Sequence, residues 1–290
     1  MTLNVSDPKF ILDLIKINDA MIRQSKGLNS WSDNSSFKYS KAGLIDISKI
    51  LNMEYNELLE KMFFLVDMIS LFTGASVKTV RDPSLFDPKL AEIKHVQYHA
   101  NYRKFYILEK GLQFPKYNKK ELYEAANMFL SISSTMKSSV IDCKYIFRGL
   151  YDVSFDAVNA WTTPGHVFDL GDIVSTSLKK GAARNFCYEE PYGFKVLLSI
   201  ANPDNIGLYV GHISKYEEEE EVVLTGKVVF DNSVSYSVYD RNKNEKQKMI
   251  FDRDQIIKFC RYIDMVRATD NRARIHAEQY IIDIEVKLVS

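Results

Sequence analysis

The sequence predicts an α+β chain with a mainly helical first part and a strand-rich second part flanked by helices. Two observations carry this. Apolar residues recur at helical spacing up to about residue 112, and short β-rich runs take over beyond Pro115. A third bounds the answer: 46% of the 290 residues are hydrophobic and 26% charged, the balance of a chain that buries a core. At roughly 150 residues per domain, the length fits about two domains. The expected division is a helical domain over 1–115 and a second domain over 116–290, with a soft boundary at 112–118.

Asp7-Pro8 opens the first helix, because proline is tolerated in a first turn, where its missing N–H costs nothing. Phe10, Ile11, Leu14, Ile15 and Ile17 follow at a period near 3.6, and Gly27 is a stop. Residues 28–43, rich in Ser, Asn, Asp and Lys, read as a loop. A short helix is expected over Leu44–Leu51 and a strong one over Glu54–Phe72, ending at Gly74. Another runs from about Lys89 to Leu112, with Tyr98, Tyr102, Phe105 and Tyr106 at helical spacing. Gly111 to Pro115 breaks the chain, and Lys119 to about Lys137 is one more helix. Strands are then expected at Lys144–Phe147, Phe194–Ile200, Gly207–Val210, Val222–Leu224, Lys227–Phe230 and Tyr280–Leu288, with a helix over Leu178–Phe186.

Composition excludes several classes. Lys plus Arg and Asp plus Glu both number 38, so no global field draws the chain to nucleic acid or an anionic membrane. The most apolar run, Met62–Phe72, contains Asp67 and is far short of the roughly 20 residues that span a bilayer. Met1 to Ser6 is polar and does not read as a secretory signal. Cys143, Cys187 and Cys260 are too scattered for a disulfide framework or zinc cage. The nucleotide-binding and zinc-protease motifs are absent, as is the G-x-S-x-G elbow. His95 and His99 stand four apart on one helix face, which is metal-ligand spacing without a further ligand.

Three features of the second half bear chemistry. Arg148, in Tyr145-Ile-Phe-Arg-Gly-Leu150, stands at the end of an apolar strand beside Gly149, where a guanidinium grips a phosphate bidentately. Taken alone it also reads as an arginine leaving the core. Ser175-Thr176-Ser177 offers three hydroxyls that bridge strands or orient a carboxylate; it also reads as a strand edge or helix cap. Glu217 to Glu221 runs straight into Val222-Val-Leu224. Such a run is ordinarily solvated, but Glu221 abuts a buried strand that fixes it, and Glu219 faces the same way if the segment is extended. Several Glu-x-Glu registers exist, and only Glu221 directly precedes Val-Val-Leu.

In this order, aromatic-Arg-Gly, Ser-Thr-Ser, then Glu-x-Glu, the chain resembles the R-S-E class of mono-ADP-ribosyltransferases, which contains the clostridial binary toxins and T-even phage enzymes. Ser-Thr-Ser-Leu followed by Ala183 and Phe186 looks like that family's phosphate–nicotinamide region. Val196 to Ile200, Asn202-Pro203 and Gly207-Leu-Tyr209 look like the strand and turn after it, and His212 to Glu218 like the turn-turn loop before the catalytic glutamate. The likeness covers roughly residues 120–290. The resemblance does not extend to residues 1–115.

The resemblance implies a split β-sandwich with flanking helices and NAD⁺ as substrate, with no metal. It implies that Glu221 stabilises the cation that develops as NAD⁺ is split, and that Ser175 orients it. Arg148 holds the phosphates and Gly149 the nicotinamide amide; Thr176 and Ser177 line the cofactor side, with Arg184 a further phosphate contact. Phe186 covers the nicotinamide ring. Glu219 implies an arginine acceptor, and Tyr216 faces the target protein. Two departures from the family pattern are Val174 before the triplet and the longer acidic run. The expected partners are proteins with an exposed arginine, such as host transcription or translation machinery, and no membrane. A nucleic-acid acceptor, or a non-catalytic interaction module on the same fold, is the alternative. The expected setting is a cytoplasm, with a phage enzyme in an infected bacterium or a delivered effector as its source.

Overall fold

The computed structural model describes residues 7–26, 41–72, 118–138, 141, 143–171, 173–188, 193–212, 219–239, 245–269 and 280–289. The expected helix over 89–112, the His95/His99 pair, Tyr216 and all but the last residue of the expected boundary lie outside them. The chain divides into two compact units, Met1–Val140 with Leu208–Glu217, and Ile141–Gly207 with Glu218–Ser290.

The first unit is built on α1 (Pro8–Lys26), α2 (Lys41–Ile50), α3 (Tyr55–Phe72) and α4 (Lys119–Ser133). Asp7 opens α1 as its sequence suggested, its carboxylate accepting from the Lys9 backbone N–H at 2.9 Å. Asn118 caps α4 the same way, accepting from the Lys120 N–H. α2 starts at Lys41, earlier than expected. α3 is the centre: Leu58, Leu59 and every residue from Lys61 to Ile69 are buried, because α1, α2 and α4 all pack on it. Phe10 meets Phe64 edge to face at 5.2 Å between centroids. Lys61 lies inside this packing and gives its ammonium to both Asp13 and Glu57 at 2.6 Å.

The second unit is a mixed sheet with helices on both faces. In chain order it holds β1 (Tyr145–Val153), α5 (Phe155–Trp161), β2 (Val167–Asp169), β3 (Val174–Ser177), α6 (Lys180–Asn185), a 3₁₀ turn (Phe186–Tyr188) and β4 (Phe194–Ala201). β5 (Leu208–Tyr209) belongs to the first unit. Then come β6 (Glu221–Leu224), β7 (Lys227–Tyr239), β8 (Glu245–Phe251), α7 (Arg253–Thr269) and β9 (Tyr280–Val289). The strands run β2-β7-β9-β4-β1-β3-β6, with β8 on β7. Among the described pairings of this unit, β4 lies parallel to β9, Val196 opposite Ile282, and the others are antiparallel. β4 is buried from Phe194 to Ile200, as a continuous apolar run requires when both faces are covered.

The two faces differ. Ile146, Val174, Val196, Leu198, Ile200, Ile282 and Ile284 form the main core with Ile256 and Cys260 of α7 and Val158 of α5. Each such side chain contributes about 1.5–3 kcal/mol when fully buried. A smaller cluster joins Leu197 and Ile281 to Ala183 of α6 and Cys187 of the 3₁₀ turn, with Phe147 against it. This second face also carries Ser175, Ser177 and Glu221.

Candidate active site

Arg148, Ser175 and Glu221 come from three adjacent strands, β1, β3 and β6. Phe147 pairs with Ser177, and Ser177 with Glu221, so one row crosses the three strands. Alternation sets Ser175 on the same face as Ser177 and Glu221. There the Ser175 hydroxyl donates to Glu221 Oε1 at 2.6 Å. On its other side the Ser175 carbonyl accepts from Arg148 Nη1 at 3.3 Å. One residue therefore links the guanidinium to the carboxylate.

Glu221 is 5% exposed. A carboxylate buried this far requires a donor, and a short charge-assisted bond from a strand-fixed hydroxyl supplies one and sets its rotamer. Thr176 and Ser177, both buried, use their hydroxyls on backbone carbonyls. Thr176 donates to Val222 O at 2.7 Å, and Ser177 donates to Glu219 O. They fasten β3 to β6 and to Glu219, two residues ahead of it, which holds the Ser175–Glu221 geometry.

Two local expectations are corrected. Arg148 is not at a strand end: β1 continues to Val153, because it is a central strand with partners on both sides. Nor is the Glu219–Glu221 segment extended. Glu219 lies in a 3₁₀ turn and Glu220 has φ 46°, the left-handed region, so simple alternation does not place Glu219 beside Glu221. Leu178 N–H bonds to Glu220 O at 3.1 Å, and Lys179 Nζ reaches Glu220 Oε1 at 3.0 Å. These bonds tie the acidic turn to the stretch that leads into α6.

α6 crosses the same face. Gly149 is needed for this: a Cβ there would lie 1.9 Å from Ala183 O and 3.1 Å from Phe186 Cβ. Arg184 sits in the last turn of α6, and Phe186, at its C-cap, is 36% exposed. The open Phe186 ring is a stacking surface beside Gly149, the buried Glu221 carboxylate lies on the same sheet face, and Arg148 reaches Ser175 O from the neighbouring position of β1. Arg148, Gly149, Ser175, Thr176, Ser177, Arg184, Phe186, Glu219 and Glu221 all lie in the second unit, and Tyr216 lies outside the described residues.

Sequence reasoning missed the supports. Lys180 gives its ammonium to Asp283 Oδ2, and Ser199 donates to Asp283 Oδ1 at 2.7 Å. The available signal was one aspartate in the middle of the apolar β9 run, YIIDIEV. Among the described residues, no group of three or more His, Cys, Asp or Glu could hold a metal ion, and no helix is long and apolar enough to cross a membrane.

Residues 96–249, more than half of the chain, match the sequence model of the family described as NAD:arginine ADP-ribosyltransferase. Arg148, Ser175, Glu219 and Glu221 all fall inside the match. No curated protein matches the chain. Among solved structures, the ATR domain of SpvB from Salmonella is similar at 13% identity and a TM-score of 0.36, over 78% of this chain and 98% of that one. Exoenzyme S from Pseudomonas aeruginosa, solved with human 14-3-3 protein beta and carba-NAD, is 17% identical at a TM-score of 0.32, over 64% and 72%. The catalytic domain of VahC from Aeromonas hydrophila is 10% identical at 0.33, over 76% and 97%.

Proposed function

The chain belongs to the NAD:arginine ADP-ribosyltransferase family, and from that premise we propose that it transfers ADP-ribose from NAD⁺ to arginine side chains of target proteins. The activity class and the use of NAD⁺ come with the family. The acceptor and the roles of single residues are our reading, and the observation that carries it is the 2.6 Å Ser175–Glu221 bond.

Glu221 is the catalytic carboxylate. The bond between the ribose anomeric carbon and nicotinamide breaks, and nicotinamide leaves with the bonding pair. Positive charge builds on the ribose, and a buried, pre-aligned carboxylate stabilises that charge far better than water does. Ser175 keeps Glu221 in the required rotamer. Arg148 and Arg184 supply the cations for the two phosphates, and the exposed ring of Phe186 covers the nicotinamide. Gly149 gives the nicotinamide amide an open stretch of backbone. Thr176 and Ser177 serve the cofactor side by holding β3 to β6.

Glu219 is the acceptor residue. A guanidinium stays protonated near neutral pH and is a poor nucleophile in that form. A carboxylate beside it binds the cation and takes a proton as the arginine nitrogen bonds to the anomeric carbon. Tyr216, in the same stretch of sequence, faces the target. The reading places the reaction in a cytoplasm, on proteins such as a host's transcription or translation machinery.

The test is labelled NAD⁺ incubated with a bacterial lysate and the purified chain, beside Glu221→Gln. Labelled proteins that disappear with the variant, and lose label to hydroxylamine under arginine-selective conditions, support the reading. Label that survives hydroxylamine removes arginine as the acceptor. Equal labelling by Glu221→Gln removes Glu221 from its role.

A further inference from the structure

We propose that Asp283, on the last strand, is a positioning residue for NAD⁺: with Lys180 and Ser199 it clamps α6 so that Arg184 and Phe186 face the substrate. The inference rests on the assignment of those two residues to the NAD⁺ side. It reaches beyond it, because Asp283 and β9 lie outside the stretch that matches the family.

α6 is a short helix of six residues, Lys180–Asn185, with no side-chain cap at its N-terminus. A helix this short does not hold itself in water. Its placement comes from outside: the stretch before it is tied to Glu220, and three contacts follow along the helix and the turn after it. At its start, Lys180 reaches Asp283 on β9. At its middle, Ala183 O rests on the bare Cα of Gly149. At its end, Cys187 is fully buried between Leu197 and Ile281. The second is a backbone approach and the third an apolar seat where the Cys187 thiol also donates to Val196 O at 3.3 Å. Neither is made by a side chain of α6. The first is, and as a directed bond between opposite charges it sets how the helix turns about its own axis.

Asp283 is built for that bond. Its side chain is 7% exposed while that of Lys180 is 42% exposed. Ser199, on the neighbouring β4, occupies Oδ1 at 2.7 Å and leaves Oδ2 to Lys180. A buried carboxylate is costly unless both oxygens are satisfied. The site therefore selects the one helix orientation that brings Lys180 over β9. That orientation fixes the direction of Arg184, one helical turn further on. β9 thereby becomes part of the substrate site without touching the substrate.

Cys187 provides a readout apart from catalysis. Its thiol is fully buried and burial pushes its pKa up to about 12, so it reacts with an alkylating reagent only when the turn lifts from the sheet. Alkylation at Cys187, located by mass spectrometry, is measured against NAD⁺ concentration in the full chain. Wild type is compared with Lys180→Met, Lys180→Arg and the double variant Lys180→Met/Asp283→Asn. The double variant removes both charges and so leaves no stranded buried carboxylate.

If the clamped state falls to a tenth of the population, both single and double charge-removing variants need about tenfold more NAD⁺ for half-protection. Their KM for NAD⁺ rises with it and kcat stays within about twofold, since the substituted residues do not face the reacting atoms. Lys180→Arg restores most of the loss. Unchanged alkylation in Lys180→Met and in the double variant overturns the clamp. Faster alkylation with unchanged half-protection and KM leaves a structural salt bridge and overturns the positioning role. A wild type that binds NAD⁺ and protects Cys187 but transfers nothing refutes the proposed function while leaving the clamp standing on the protection data.

Discussion

The carbonyl oxygen of Ala183 sits 1.9 Å from the point where Gly149 would carry a Cβ, so strand β1 and helix α6 meet backbone to backbone. That contact makes Gly149→Ala a probe of the NAD⁺ face. The new methyl cannot be absorbed by a flexible side chain; the helix itself must move. Overpacking of this sort costs about 1–3 kcal/mol, and displacement of α6 carries Arg184 and Phe186 with it. The expected result is a lower melting temperature and a raised KM for NAD⁺. Gly181→Ala is the control, since a Cβ there meets nothing within 4 Å. It lies inside the same helix and should stabilise by about 0.5–1 kcal/mol. Equal melting temperatures for Gly149→Ala and wild type would contradict the packing described.

Ser175→Ala removes the donor to Glu221 Oε1 and leaves strand pairing intact. A hydrogen bond to a charged group contributes about 1.5–3 kcal/mol, which places the fall in kcat at roughly ten- to a hundredfold. KM for NAD⁺ should hardly move, because Ser175 acts through Glu221. Steady-state kinetics of nicotinamide release decide it, and a kcat equal to wild type removes Ser175 as the orienting group.

Glu219→Ala separates acceptor from donor chemistry. Nicotinamide release with water as acceptor should persist within several-fold, while transfer to a small guanidino acceptor such as agmatine should fall by about 10²–10⁴, the range of a lost general base. Parallel loss of both reactions would falsify the acceptor role.

Glu220 stands between the two glutamates at φ 46°. A non-glycine residue there costs about 1–3 kcal/mol. Glu220→Gly relieves this strain, loses a partly exposed pair with Lys179 worth under about 1 kcal/mol, and gains chain entropy when unfolded. Its stability should stay near wild type. Glu220→Val keeps that strain and adds the clash of a β-branched side chain in the left-handed region, so it should be less stable than both wild type and Glu220→Gly. Denaturant melts of the two variants that coincide would contradict a left-handed Glu220.

Much of this was legible in the residues. The apolar periods of α1 and α3, the continuous run of β4 and the mixed composition gave the α+β class and most strands, because burial imposes those patterns directly. The order of Arg148, Ser175 and Glu221 pointed to one site. What the residues hid depended on distant partners. β1 continues past Phe147 through Gly149 because β3 and β4 flank it. β7 passes a register shift between Phe230 and Val234 that breaks its alternation. α5, β2, β8 and α7 were not expected at all. The turn at Glu220 follows from bonds to Leu178 and Lys179, some forty residues back, and no local pattern announces it.

The Lys61 cluster yields a stability prediction confined to the first unit. Burial pulls the Lys61 pKa down, but hydrogen bonds to Asp13 and Glu57 and the charge of both outweigh it, so the pKa stands above the ordinary 10.5. A raised folded pKa means that the folded state holds the proton more tightly than the unfolded state. Between the unfolded and folded values the native chain binds more protons, so stability falls as pH rises. The contribution is complete below about pH 10.5 and disappears as pH passes through the folded pKa. Lys61→Met lacks this group and should lose less stability than wild type over that alkaline interval, although it is less stable at pH 7, where it strands the Asp13 carboxylate. Denaturant unfolding at steps from pH 8 upward measures the difference between the two chains, which cancels the other lysines and tyrosines. A difference that does not shrink with rising pH would show that Lys61 is not held protonated by its two carboxylates.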